Sequence, residues 1–230
     1  MGIVRMGPPE DIILYLKQTG NVETLVETGT YYGATAEWAA DHFSQVKTIE
    51  FSAPIYQETS AKYSHRTNIE FLFGDSRQQL AELLRQLDEP ILLWLDAHWC
   101  SFGSYGKTDQ CPLLDELDII MASPFEHIIL IDDARLFLCP PPAPNQPAHY
   151  PDIAAVLEKF SDKNMYAIIY EDVIIIVPAS MKPDFSAFMY KKVTYDQIRL
   201  NQLYKRRVKL QKMKDHTKAV LWPLRFLWSK

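Results

Sequence analysis

Cysteine is scarce in this chain: 230 residues hold Cys100, Cys111 and Cys139 and no C-x-x-C pair. An odd, scattered set argues against a disulfide framework or a thiolate zinc cluster and suits reduced thiols. Long apolar runs are also missing; none reaches the roughly 18 residues that cross a bilayer, and Met1 to Lys17 lacks the apolar core of a signal peptide. Cytoplasmic residence is the expectation. There is no G-x-G-x-x-G run, which argues against NAD or FAD, and no G-x-x-x-x-G-K-[ST] loop for a nucleoside triphosphate. With 47% apolar and 23% charged residues, composition excludes disordered and collagen-like classes.

What is present is unevenly charged. Residues 1–189 carry 12 Lys+Arg against 27 Asp+Glu, whereas residues 190–230 carry 12 against 2. The tail is therefore a separate electrostatic object. Two domains are expected: a folded domain over 1–189 and a basic amphipathic helical tail over 190–230.

The folded part is organised around Leu25-Val26-Glu27-Thr28-Gly29-Thr30-Tyr31-Tyr32-Gly33. An apolar run ending in an acid and two spaced glycines reads as a buried strand, a tight turn, and a helix starting near Thr30 whose first backbone donors face a cleft. Further strands are expected over 46–51, 69–73, 91–95 and 127–131, with helices between them, and a hairpin over 165–177 turning at Glu171-Asp172. Cys139 to Pro144 is too rich in proline for either element and reads as an extended loop. Five strands alternating with helices and then a hairpin give an α/β fold: a Rossmann-like, seven-stranded, mostly parallel sheet with an antiparallel end and helices on both faces.

Ligands of such sheets bind outside the carboxyl ends of the strands. Glu27, Glu50, Asp75, Asp96, Asp132 and Asp133 all fall there, and crowded carboxylates need cations or hydrogen-bond donors between them. Asp96, Asp132 and Asp133 offer oxygen ligands of the kind Mg²⁺ takes; the competing role for each is a helix N-cap. His98 could be a general base, a metal ligand or a polar residue at a pocket mouth, and the base is favoured because imidazole titrates near neutral pH. Glu50 is placed to accept from ribose hydroxyls and Asp75 from an adenine amine, or both are caps or exposed charges. Tyr31, Tyr32, Trp99, Phe102 and Tyr105 could wall a sugar face or anchor core and loops.

The order Glu27-Thr28-Gly29-Thr30-Tyr31-Tyr32-Gly33, Glu50, Gly74-Asp75-Ser76 and a closing hairpin resembles the class I S-adenosylmethionine-dependent methyltransferases over residues 20 to 180. By that resemblance Glu27, Gly29, Thr30 and Gly33 would hold the methionine part, Glu50 the ribose, and Asp75 with Ser76 the adenine. Leu95-Asp96-Ala97-His98 with Ile131-Asp132-Asp133 is similar to the metal-dependent O-methyltransferases, especially the macrocin type acting on sugars. The likeness implies S-adenosylmethionine and Mg²⁺ (or Mn²⁺) as cofactors, Asp96, Asp132 and Asp133 as metal ligands, and His98 with Asp96 as catalytic residues. The reaction implied is methyl transfer to a hydroxyl of a sugar or other polyhydroxylated acceptor. The loop from Cys100 to Cys111 and the proline-rich segment match no substrate motif.

Two other readings stand beside it: a nucleotide-sugar glycosyltransferase with Asp96-Ala97-His98 as its D-x-H metal motif, and a non-catalytic scaffold of the same fold. The first leaves the turn at Gly29 without a task. Lys191-Lys192, Lys205-Arg206-Arg207, Lys209, Lys212 and Lys214, with aromatics closing the chain, suit an anionic membrane surface and hence the inner face of the membrane. The competing role is a helix docked on the domain or on a second copy in a homo-oligomer. Nucleic acid is not expected, because the acidic body would repel a phosphate backbone.

Overall fold

The computed structural model describes residues 7–99, 106 and 109–225. The chain divides into two units, residues 1–182 and 183–230.

In the first unit, α1 (Glu10–Gly20) precedes β1 (Thr24–Thr28), α2 (Ala34–Ala40), β2 (Gln45–Glu50), α3 (Ala53–Lys62), β3 (Ile69–Phe73), α4 (Ser76–Gln86), β4 (Leu92–Leu95), α5 (Leu113–Met121), β5 (Ile128–Ile131), α6 (Arg135–Leu138), α7 (Ile153–Glu158), β6 (Met165–Tyr170) and β7 (Val173–Pro178). One seven-stranded sheet runs β3-β2-β1-β4-β5-β7-β6. The first five strands pair in parallel, while β7 lies antiparallel to both β5 and β6. The expected fold class is therefore the observed one. Strand order reverses between β1 and β4, and at that point of an α/β sheet a crevice forms outside the carboxyl ends.

Apolar runs with no polar alternation explain why β4, β5 and β7 lie in the interior of the sheet: each is buried along its whole length. Val26, Leu93, Leu95, Ile129 and Ile131 join Leu80 and Leu84 of α4 and Leu113 and Leu117 of α5 in one core. Their alternates Leu25, Leu92, Trp94, Ile128 and Leu130 are as deeply buried, as a sheet covered on both faces requires. Burying one such side chain contributes about 1.5–3 kcal/mol.

One helix start differs from expectation, and another is set by a cap. The helix after β1 starts at Ala34 rather than Thr30, because Gly33 takes φ 75° and closes a turn first. Helix α4 starts at Ser76, since Asp75 caps it by accepting from Arg77 N–H at 2.9 Å.

The second unit is formed by α8 (Lys182–Arg225). Among its described side chains Tyr195 and Tyr204, both exposed, lie on opposite sides, nine residues being about two and a half turns.

Candidate active site

The turn after β1 is held against the ends of its neighbours. Gly29 and Thr30 N–H both donate to Ile49 O, at 2.9 and 3.1 Å, and Asp96 N–H donates to Thr28 O at 3.0 Å. Gly29 has φ 85°, and a Cβ there would run into the carbonyl of Asp96. At Gly33 a Cβ would stand 2.7 Å from the Tyr63 ring. Both glycines thus allow close packing within the protein.

Glu27 is 2% exposed. Its Oε2 accepts from Thr48 Oγ1 at 2.6 Å, and that hydroxyl also lies 2.6 Å from Thr30 Oγ1. Burial raises its carboxyl to about 8, against the pull of Thr48, with Asp96 and Glu50 adding to the rise. Glu50 uses both oxygens on backbone, Oε2 accepting from Tyr31 N–H at 2.9 Å and Oε1 from Ser52 N–H at 2.7 Å. Burial raises it too, opposed by those bonds. It ties the first and second turns of the rim together.

Asp75 is bound by Arg77, whose Nε donates to Oδ1 at 2.9 Å and Nη2 to Oδ2 at 2.7 Å. Capping and this fork engage both oxygens. Ser76 beside it is buried.

Across the switch point, His98 sits between two acids. Its Nε2 is 2.6 Å from Asp133 Oδ2 and its Nδ1 3.3 Å from Asp96 Oδ1. Burial opposes charge on the ring, but the bond to Asp133 and the charges of Asp96 and Asp132 outweigh it and raise His98 to about 9. Asp133, pushed up by burial, is brought net below its ordinary value by His98 and Arg135. Arg135 Nη1 lies 2.5 Å from Asp133 Oδ1 and also pairs with Asp172 at the hairpin turn. Asp132 is raised to about 8 by burial first, then by Asp96 and Asp133; its Oδ1 accepts from Asp133 N–H at 2.7 Å. Asp96 is also raised, by burial, with His98 pulling down and Asp133 up. Asp133 takes φ 56°, a left-handed conformation that Asp tolerates better than most residues.

Glu27 thus feels the charges of Asp96 and Glu50, and Asp96, Asp132 and Asp133 feel one another, whereas Asp75 is taken up by Arg77. His98 faces both carboxylates, and against the opposing effect of burial they raise it, so the ring holds its proton more tightly than a free imidazole. Asp133 has His98 on one oxygen and Arg135 on the other, and among the described residues no group of three or more His, Cys, Asp or Glu is arranged to hold a metal ion.

Of the expected aromatic wall, Tyr31 and Tyr32 are exposed at the rim with ring centroids 4.3 Å apart. Trp99 is half-buried, and its backbone N–H donates to Gln110 O at 2.9 Å. Phe102 and Tyr105 lie outside the described residues. Two aromatics not anticipated join the rim: Phe51 directly follows β2 and Phe73 ends β3, and they are 42% and 50% exposed. For Phe51, an aromatic directly after a strand's closing acid was the signal in the sequence.

No protein-family model and no curated protein sequence matches the chain. Solved structures do. It is similar to a Klebsiella pneumoniae protein assigned as an O-methyltransferase, with 15% identity, TM-score 0.53, and 76% of this chain and 82% of the other covered. A Staphylococcus aureus protein assigned as a caffeoyl-CoA O-methyltransferase gives the same identity and TM-score over 76% and 86%. An SAH-bound Podospora anserina methyltransferase gives 17% identity and TM-score 0.50 over 75% and 79%. At such identities the likeness establishes the fold: a Rossmann-like methyltransferase fold.

Proposed function

We infer that this protein transfers a methyl group from S-adenosylmethionine to a hydroxyl, and that the acceptor is a sugar or another polyhydroxylated molecule. The observation that carries the reading is the switch point itself: the tight Gly29 turn, Glu27 and Glu50 on one side, and Asp96, His98, Asp132 and Asp133 on the other. An SAH-bound relative of the same fold supports the cofactor. The exposed rings of Tyr31, Tyr32, Phe51 and Phe73 beside the rim suit stacking against a base or a sugar face.

In this reading the turn and Glu50 position the sulfonium nucleoside, and the acid rim orients the acceptor hydroxyl for in-line attack on the methyl carbon. Positioning of that kind can contribute about 7 kcal/mol or more. The hydroxyl proton passes to the Asp96–His98–Asp133 group. His98 takes it only in the state in which it has first released one of its own.

A divalent cation is a separate matter. Three carboxylates are the donors Mg²⁺ or Mn²⁺ prefers, but with Asp133 held by both His98 and Arg135 the residues as arranged do not fit an ion. No step here runs through one.

Calorimetry with SAH and, separately, with a nucleotide sugar tests the reading. Saturable binding of SAH alone supports it; binding of the nucleotide sugar alone would give the site to glycosyl transfer.

No helix among the described residues is long and apolar enough to cross a membrane. The basic charge of α8 suits electrostatic contact with an anionic lipid surface, at about 1 kcal/mol per cation near it. Sedimentation with anionic liposomes should be lost on deleting residues 196–230; unchanged sedimentation would rule the contact out.

A further inference from the structure

One buried acid has no part in the reading so far. Glu116, in the first turn of α5, is 1% exposed. The side-chain hydroxyls of Ser76 and Thr28 bond to it, but its Oε1, fully buried, takes no hydrogen bond from the protein. A carboxylate oxygen removed from water is costly to leave without a donor. Glu116 also lines a small pocket with His98, Cys111, Asp132 and Phe137, which has room for about one water molecule.

The polar groups around that pocket are not alike. His98 turns one ring nitrogen to Asp133 at 2.6 Å and the other to Asp96 at 3.3 Å, so it has no donor to spare. Asp133 is held by His98 and Arg135. Asp132 accepts from Asp133 N–H at Oδ1, 2.7 Å away, and among the described residues no cation stands within ion-pair distance of it. Burial pushes the Cys111 thiol up to about 12, while its sulfur accepts from Leu113 N–H; the thiol therefore keeps its proton and can donate it weakly. Two acceptor carboxyls and one S–H thus surround a space of the size of a water. A buried water makes about three hydrogen bonds, and here its two hydrogens have two acids to meet and its oxygen has the thiol.

We propose that Glu116 is a positioning residue for Asp132, acting through one ordered water in this pocket that donates to Glu116 Oε1 and to the Asp132 carboxyl and accepts from Cys111 S–H. Thr28 ends β1 and Ser76 opens α4, so Glu116 is fixed from two elements and the water carries that placement to the acid that follows β5. Thr28 Oγ1 also accepts from Asp96 N–H at 3.3 Å. Asp96 and Asp132, from neighbouring strands, are thereby joined by one chain of hydrogen bonds below the rim. Its value for catalysis rests on the reading above, in which the acid rim orients the acceptor hydroxyl; the water itself does not depend on that reading.

The test combines crystallography and NMR on the full chain. The wild type should show one water within about 3.2 Å of both Glu116 Oε1 and Asp132. The amide proton of Asp133, which donates to Asp132, reports where that carboxyl is held. Cys111→Ser, a better donor, and Glu116→Gln, which retains a carbonyl oxygen, should keep the water and leave that resonance near its wild-type position. Cys111→Leu, which fills the pocket without touching Ser76 or Thr28, should expel the water and shift the resonance, with SAH affinity by calorimetry unchanged. If Cys111→Leu does not fold, Cys111→Val applies the same test with a smaller side chain. A wild-type pocket without a water, a pocket that takes up Rb⁺ from solution, or an Asp133 resonance unmoved once the water is gone would overturn the inference. Absence of SAH binding by the wild type would sink the cofactor reading and not this inference, which the water and the resonance decide.

Discussion

His98 Nε2 and Asp133 Oδ2 stand 2.6 Å apart, and the other ring nitrogen faces Asp96 at 3.3 Å. An imidazole gripped from both ends by carboxylates is held as a cation. With a folded value of about 9 against an ordinary 6.5, the charge stabilises the fold below pH 6.5 and that contribution is lost as pH rises through 9. Turnover should show the opposite trend: kcat rises with pH and levels off only above about 9, as His98 gives up a proton. His98→Asn should remove the rise and cost about 10²–10⁴ in kcat with SAH affinity nearly unchanged. A plateau already reached at pH 7 would contradict this.

Glu27 works in the other direction along the stability axis. Its folded value of about 8 exceeds the ordinary 4.5, so between those values the folded chain keeps a proton the unfolded chain has released. Stability should fall as pH rises through that window, by at most about 1.4 kcal/mol per pH unit from this group. Glu27→Gln keeps an acceptor for Thr48 and removes the titration. Urea denaturation at pH 5 and pH 8 should show the variant gaining on the wild type at the higher pH; an equal difference at both would be against it.

Gly29 is fixed by two constraints at once, φ 85° and the carbonyl of Asp96 where a side chain would go. Gly29→Ala should therefore lower stability by about 2–4 kcal/mol, read as a drop in the urea midpoint. A neutral substitution would mean that the strands on either side of the switch point are not held as tightly as described.

Arg135 occupies Asp133 and is anchored in turn to Asp172. Any divalent ion that enters the rim has to displace it. Arg135→Gln should tighten Mn²⁺ binding by at least about tenfold, measured by calorimetry or electron paramagnetic resonance, while the partly exposed ion pair itself contributes only about 1 kcal/mol to stability. Unchanged affinity would show that Arg135 does not compete.

The sheet was legible because its strands are short apolar runs, the first six closed by an acid or glycine: Ile91 to Leu95 and His127 to Ile131 need no tertiary information to be read as buried strands. The acid rim was legible for the same reason, since a strand's last residue fixes where its side chain emerges. What could not be read was how the acids are neutralised. That depends on Arg135, which lies just past the strand, and on Asp172 at a hairpin turn far along the chain, and no local pattern joins them. Glu116 was hidden differently. On a helix with Leu113, Leu117 and Ile120 buried, an acid in the first turn reads as a favourable charge at a helix N-terminus, and only the packing of α4 against α5 turns it inward.

Hydrogen exchange of the full chain with and without SAH tests the central claim most directly, because it asks where the nucleoside sits. Protection should appear together in residues 29–37, 50–53, 74–77 and 96–99, the loops at the carboxyl edge on either side of the β1–β4 switch point, and be absent from α8. Saturating SAH that protects none of these loops, or protects α8 alone, would contradict the account.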